Sequence, residues 1–226
     1  MNGIFVTGTD TGIGKTVVTG LLAKYLKGRG FKIITQKWIE TGSRGQSSDI
    51  KLHQKISGIG RSEVKDYSPD LCPYVFKFPA SPHLSARLEH KKISVDKIKK
   101  SFKRLAKHFD FVIVEGTGGA LVPLNKSRLL LDLAKDLKLP ALIVAPNKLG
   151  AINQALLTIE ALKSRRIRIS GLIFNDCPGE DAVILKDNPD IVKKISKQNI
   201  IGSLPRRNNY RSLYKKFSSI AGKITL

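Results

Sequence analysis

Gly8-Thr9-Asp10-Thr11-Gly12-Ile13-Gly14-Lys15-Thr16 lies between three apolar residues, Ile4, Phe5 and Val6, and an apolar set at helical spacing, Val17, Val18, Leu21, Leu22, Tyr25 and Leu26. The order is a short buried strand, a glycine loop and a helix. Glycine lets the backbone turn sharply and bring its N–H groups against phosphate oxygens, and the positive end of the following helix favours the same anion. In such a loop Lys15 reaches the terminal phosphates and the Thr16 hydroxyl ligates Mg²⁺. The spacing is a variant of G-x-x-x-x-G-K-[ST], because the glycine is Gly8 where the regular pattern would put it at Thr9. A lysine at a helix N-terminus opposes the helix dipole, so stability alone does not account for Lys15. The stretch reads as a phosphate-binding loop and the ligand as a nucleotide.

Outward from this loop, strands and helices alternate. Lys32-Ile33-Ile34-Thr35-Gln36 reads as the second strand, with Lys37 at its C-terminal tip, where ligands bind in open parallel sheets. A polar loop from Thr41 to Ser48 leads to Asp49, which opens a helix through Ile50, Leu52, His53 and Ile56. Asp49 reads equally as a first-turn acid that suits the helix dipole or as a carboxylate facing the metal. From Gly60 to Pro82 no periodicity is visible, and a connection of that length in a compact domain points to function. Pro79-Ala80-Ser81-Pro82-His83 ends it, a helix with Leu84 and Leu88 follows, and Ser94 is placed to cap a helix carrying Val95, Ile98, Phe102 and Leu105.

Phe111-Val112-Ile113-Val114 has the pattern of a buried parallel strand and runs straight into Glu115-Gly116-Thr117-Gly118-Gly119. A carboxylate at that position suits Mg²⁺ at a triphosphate, the alternative being a glutamate that caps an exposed turn. Ala141 to Ala145 forms a further strand, followed by Asn147-Lys148-Leu149-Gly150-Ala151-Ile152-Asn153 and a helix with Leu156, Ile159 and Leu162; Lys148 either contacts ligand or is simply exposed. Gly171 to Asp176 repeats the strand with a polar tip, and the Asn175 amide offers a donor and an acceptor to a base edge. Ile200 to Pro205 is the last strand signal, before a basic tail helix. The pattern predicts a three-layer α/β fold with a mainly parallel sheet. His53, His83, His90 and His108 show no metal-ligand spacing and read as ordinary helix or loop residues, and Trp38 reads first as packing and second as a pocket wall.

With 226 residues, 41% hydrophobic, one sizeable core and a single domain spanning 1–226 are expected. Cys72 and Cys177 cannot make a disulfide framework or a four-ligand zinc site, so a reducing, cytoplasmic setting is expected. No apolar run approaches the roughly 18 residues of a membrane span, and the N-terminus enters a strand at once. The net charge of +22 is spread in short groups such as Lys99-Lys100 and Lys215-Lys216, on faces that read as solvated. Nucleic acid is therefore not expected as a partner, while a positive field speeds the arrival of anions such as ATP.

Taken together, Gly8 to Thr16, Lys37, Glu115-Gly116-Thr117-Gly118-Gly119, Lys148 to Asn153 and Asn175-Asp176 resemble the dethiobiotin synthetases, P-loop NTPase-like enzymes, through nearly the whole chain. The resemblance implies that ATP and Mg²⁺ drive carboxylation of 7,8-diaminononanoate by CO₂ and its closure to dethiobiotin, the penultimate step of biotin synthesis, in a cytoplasmic homodimer with sites at the subunit interface. The implied course is capture of CO₂ as a carbamate, attack of the carbamate on the γ-phosphate, and displacement of phosphate from the mixed anhydride by the second amine. It implies Lys15 and Lys37 as catalytic cations and Thr16, Asp49 and Glu115 as metal ligands. Nucleotide contacts are implied for Gly12, Ile13, Gly14, Lys15, Thr16, Val17, Asp49, Glu115, Gly116, Thr117, Gly118, Asn175, Asp176, Pro205, Arg206 and Arg207. Substrate contacts are implied for Thr41, Ser81, Leu149, Gly150, Ala151, Ile152 and Asn153, the last five offered across the dimer to the substrate carboxylate.

The chain departs from the family at Gly12, where many members carry Glu, at Trp38, where proline is usual, and at Arg206 and Arg207, which replace an apolar run and imply a broader nucleotide preference. Chromosome-partition and septum-placement ATPases share the variant loop but carry a lysine five positions before the P-loop lysine, where this chain has Asp10. A cobalamin-type amidotransferase would need a nucleophilic cysteine module, for which neither cysteine has a motif.

Overall fold

The computed structural model describes residues 3–206 and 209–226. In chain order the elements are β1 (Gly3–Gly8), α1 (Lys15–Lys27), β2 (Ile33–Lys37), β3 (Ile39–Thr41), α2 (Ser48–Ser57), α3 (Arg61–Val64), a 3₁₀ turn (Lys65–Tyr67), α4 (Ser68–Leu71), β4 (Tyr74–Phe76), α5 (Pro82–Leu88), α6 (Val95–His108), β5 (Phe111–Glu115), α7 (Leu130–Asp136), β6 (Ala141–Asn147), α8 (Ala151–Lys163), β7 (Ile169–Asp176), α9 (Ala182–Ser196), β8 (Ile200–Leu204) and α10 (Tyr210–Ala221).

Six strands form one sheet in the order β2-β5-β1-β6-β7-β8, and every pairing in it is parallel. The apolar runs at β1, β5 and β6 are buried throughout because neighbours cover both faces, as expected of parallel strands with helices above and below. The predicted α/β architecture with its mainly parallel sheet is what the chain adopts. Sequence order reverses across β1, so the P-loop leaves the sheet at its topological switch point, where ligands of open α/β sheets bind.

Register brings the polar tips together. Lys37 at the end of β2 lies directly beside Glu115 at the end of β5, and Asn147 of β6 lies beside Asp176 of β7. Helix packing adds a third contribution. α2 lies so close to α1 that a Cβ added at Gly20 would stand 2.9 Å from the Cβ of Ile56. Asp49, His53 and Ile56 recur at i, i+4 and i+7 and share one face of α2. The glycine on α1 therefore lets that face, with its carboxylate and imidazole, sit against the helix that begins at Lys15.

The segment from Gly60 to Pro82, expected to be an irregular loop, instead carries α3, the 3₁₀ turn, α4 and β4. β4 pairs in parallel with β3, setting Thr41 opposite Phe76. Elements of three or four residues are too short to show a period, which is why the pattern hid them. α7 and α9 likewise carry no clear signal, and α9 holds a proline, Pro189, in its interior. Trp38 is fully buried and stacks on Phe5 with ring centroids 4.9 Å apart, so its role is packing. Among the described residues no helix is long and apolar enough to cross a membrane.

Candidate active site

The P-loop is held open by its own side chains. Asp10 Oδ1 accepts from the Thr11 amide at 2.7 Å, and Lys15 Nζ donates to the Asp10 carbonyl at 2.6 Å. Gly14 adopts φ 95°, and a Cβ there would stand 2.5 Å from Asn175 Nδ2, so both conformation and space require glycine. The Asn175 amide in turn donates to the Ile13 carbonyl at 2.6 Å, pinning the loop to the tip of β7.

Beneath the loop, the first turn of α1 meets two carboxylates. Thr16 Oγ1 lies 3.1 Å from Asp49 Oδ1 and 3.0 Å from Glu115 Oε1, so its one hydroxyl hydrogen is shared between two acceptors. Lys37 Nζ lies 2.8 Å from Asp49 Oδ2, 2.8 Å from Glu115 Oε1 and 3.0 Å from the Gly116 carbonyl. Asp49 thus occupies the first turn of α2 and also points its carboxylate at Thr16 and Lys37. Glu115 is buried and paired, which excludes the exposed turn cap.

Charge in this cluster is strongly coupled. Burial alone would push the Glu115 carboxyl up, but the Lys37 ammonium and the hydrogen bond from His53 bring it down to about 2. For Lys37 burial pulls the other way, and the Glu115 and Asp49 carboxylates outweigh it and hold the ammonium above the ordinary lysine value. Lys15 is lowered to about 8, first by burial and then by the nearby charge of Lys37. Two carboxylates, Lys37 and the Thr16 hydroxyl meet in the cluster, while Lys15 Nζ is held on the Asp10 carbonyl.

Sequence reasoning missed two residues here. His53 is fully buried, with Nε2 2.7 Å from Glu115 Oε2, far from the ordinary helix position expected of it. Glu40 is also buried, and its carboxylate accepts from the hydroxyls of Ser43, Ser47 and Ser48 and from the amides of Ser48 (2.8 Å) and Asp49 (3.3 Å). It clamps the polar loop at the head of α2. The serine-rich composition of residues 43–48 was the available signal for such an acceptor.

A cavity of about 620 Å³ opens on the other side of the P-loop, lined by Asp10 to Gly14, Val17, Lys148, Asn175, Asp176, Pro205, Arg206 and Tyr210, among others. Of the expected nucleotide residues, Gly12, Ile13, Gly14, Val17, Asn175, Asp176, Pro205 and Arg206 line it, whereas Thr16, Asp49 and Glu115 form the ionic cluster and Arg207 lies outside the described residues. Lys148 lines the cavity from the end of β6, and its carbonyl accepts from the buried Asn188 amide at 3.0 Å. Thr117 is tied by its hydroxyl to the Ile39 carbonyl, beside Gly116 and Gly118.

The expected substrate residues fall in two places. Thr41 ends β3, and the next residue, Gly42, approaches Pro79 (3.2 Å from its would-be Cβ), which brings the polar loop beside the entry to α5 at Ser81. Leu149, Gly150, Ala151, Ile152 and Asn153 lie apart from the cavity lining, at the turn into α8; Gly150 has φ 84° and Leu149 is 77% exposed.

The donor set of Thr16, Asp49 and Glu115 fits Mg²⁺: hard oxygens only, converging on one hydroxyl. Among the described residues no group of three His, Cys, Asp or Glu side chains is placed to hold a metal ion.

Comparison with known proteins bears on the family and the fold. The family model of the AAA domain matches residues 2–212. A protein of Pasteurella multocida, ATP-dependent dethiobiotin synthetase BioD 2, is 41% identical over 190 residues, covering 84% of this chain and 89% of its own. ATP-dependent dethiobiotin synthetase BioD of Chlorobaculum tepidum is 40% identical, covering 88% and 83%. In fold, the chain resembles MinD in the MinC:MinD cell division complex of Aquifex aeolicus, with a TM-score of 0.57, 18% identity and coverage of 96% and 86%. It also resembles a ParA family ATPase from Chlorobium tepidum, with a TM-score of 0.54, 14% identity and coverage of 97% and 91%.

Proposed function

We propose a division of labour among the residues of this site, given that the chain belongs to the ATP-dependent dethiobiotin synthetase family. Its reaction is the ATP-dependent carboxylation and closure of 7,8-diaminononanoate with CO₂ to dethiobiotin, a ligase step of biotin synthesis. The observation that carries the assignment of roles is the single hydroxyl of Thr16, within 3.1 Å of Asp49 and 3.0 Å of Glu115, at the foot of the loop that carries Lys15.

Thr16, Asp49 and Glu115 would hold Mg²⁺, which would supply charge neutralisation at the triphosphate. Lys15 leaves the Asp10 carbonyl for the terminal phosphates. Lys37, held by two carboxylates and the Gly116 carbonyl, faces the point where carbamate oxygen meets the γ-phosphate. A fixed ammonium there stabilises charge that accumulates on both groups, without reorganisation at the moment of reaction. The base of ATP occupies the cavity, where the Asn175 amide nitrogen is already engaged by Ile13 and its oxygen stays available as an acceptor. Thr41 and Ser81 lie on the diamine's side. The turn from Leu149 to Asn153 lies outside the cavity, which supports its presentation to a second copy of the chain, as a homodimer in the cytoplasm.

The test is ATP consumption by the purified protein with Mg²⁺ and bicarbonate, with and without the diamine, following dethiobiotin by mass. ADP release that depends on diamine and matches dethiobiotin is expected. Hydrolysis indifferent to diamine but raised by DNA would overturn the reading in favour of the partition-type ATPases that share the fold.

A further inference from the structure

α2 brings two polar side chains to the cluster one turn apart. Asp49 meets Thr16 and Lys37 directly, while His53, one turn on, meets the far oxygen of Glu115. His53 is fully buried, and its Nδ1 has no hydrogen-bond partner among the described residues. The carboxylate oxygen can only accept, so Nε2 donates to Glu115 Oε2 at 2.7 Å. The two carboxylate oxygens are thereby divided: Oε2 is occupied by His53, and Oε1 takes Thr16 at 3.0 Å and Lys37 at 2.8 Å.

We propose that His53 is a positioning residue that locks Glu115 so that Oε1 is presented to the metal and to Lys37. The proposal rests on the reading of Glu115 as a Mg²⁺ ligand. A carboxylate on the last residue of a strand can rotate about its terminal bond and exchange its oxygens. A bond to one oxygen removes that freedom, as hydrogen bonds around metal ligands commonly do. Packing alone does not call for histidine: Ile56 fills the next position on the same face with hydrocarbon, and a buried Nδ1 without a partner carries a desolvation cost that leucine would avoid.

Three proteins test it: wild type, His53→Leu, which keeps bulk and loses the donor, and His53→Gln, whose side-chain N–H can reach the same oxygen. Binding of Mn²⁺ in the presence of a nonhydrolysable ATP analogue is read by paramagnetic resonance, alongside the Mg²⁺ dependence of turnover and the melting temperature. His53→Leu should weaken Mn²⁺ binding about 10- to 100-fold and raise the Mg²⁺ needed for half-maximal turnover in step, with the diamine KM little changed. His53→Gln should recover most of the loss, and His53→Leu should melt no lower than wild type. Mn²⁺ binding by His53→Leu as tight as by wild type would overturn the proposal. So would equal loss in both variants with lowered melting temperatures, which would make His53 a packing residue. If wild type itself neither binds Mn²⁺ nor depends on Mg²⁺, the metal assignment fails and the proposal with it, a result separate from the other two.

Discussion

Lys15 meets two opposed demands, and pH separates them. Burial and the neighbouring Lys37 lower its pKa to about 8, yet phosphate binding needs its charge. In the free enzyme the proton leaves as pH rises through about 8; with a triphosphate against it the ammonium is retained. We expect kcat/KM for ATP to fall about tenfold per pH unit on the alkaline side while kcat stays level, because the first reports the free enzyme and the second the complex. Stability runs the other way. The folded value lies below the ordinary 10.5, so the fold penalises the charged form below about pH 8 and the penalty lifts as pH climbs toward 10.5. A kcat/KM profile flat to about pH 9.5 would show that Lys15 keeps its proton unaided. At this scale the sequence reveals residues that sit at punctuation. Lys15, Thr16, Lys37, Asp49 and Glu115 all stand at a strand end or a helix start, and the structure brings the last four within hydrogen-bonding distance. His53 was hidden because its partner lies 62 positions away, and spacing within one helix carries no information about a neighbouring strand.

Among the elements, the polar loop before α2 depends on one acceptor. Glu40, at the centre of β3, gathers three hydroxyls and two amides and so fixes where Asp49 begins its helix. Those bonds, against the rise from burial, hold its carboxyl below the usual value, so the clamp is present near neutral pH and loosens as the solution becomes acid. Replacing Glu40 by Ala leaves several donors without a partner, at about 2 kcal/mol, which in a chain of this length lowers the melting temperature by about 4–8 °C. Amide exchange at Ser48 and Asp49 should quicken at the same time. An unchanged melting temperature with unchanged exchange would mean that water replaces the carboxylate at no cost. The strands of the large sheet were legible because burial on both faces forces runs such as Phe111 to Val114, whereas β3 and β4 were not. Each has three residues, and their pairing is a tertiary event that no local pattern announces. α9 was obscured by Pro189 and by the polar residues around it.

For the whole molecule, charge and assembly are linked. One chain carries +22, so two chains together carry twice that, and an association that presents Leu149 to Asn153 across an interface must form against that repulsion. Salt shortens the reach of such a field to about 10 Å near 0.1 M, which weakens repulsion between subunits more than contacts within the buried cluster. Enzymes that complete their sites within one chain show the opposite trend with anionic substrates, since screening removes the attraction that steers ATP inward. If each site needs the partner's turn, specific activity at nanomolar enzyme falls on dilution and recovers as salt rises from about 0.02 to about 0.2 M, in parallel with the dimer fraction by sedimentation. A monomer that stays fully active at low salt would detach Leu149 to Asn153 from catalysis and leave the ionic cluster around Thr16 as the complete machinery.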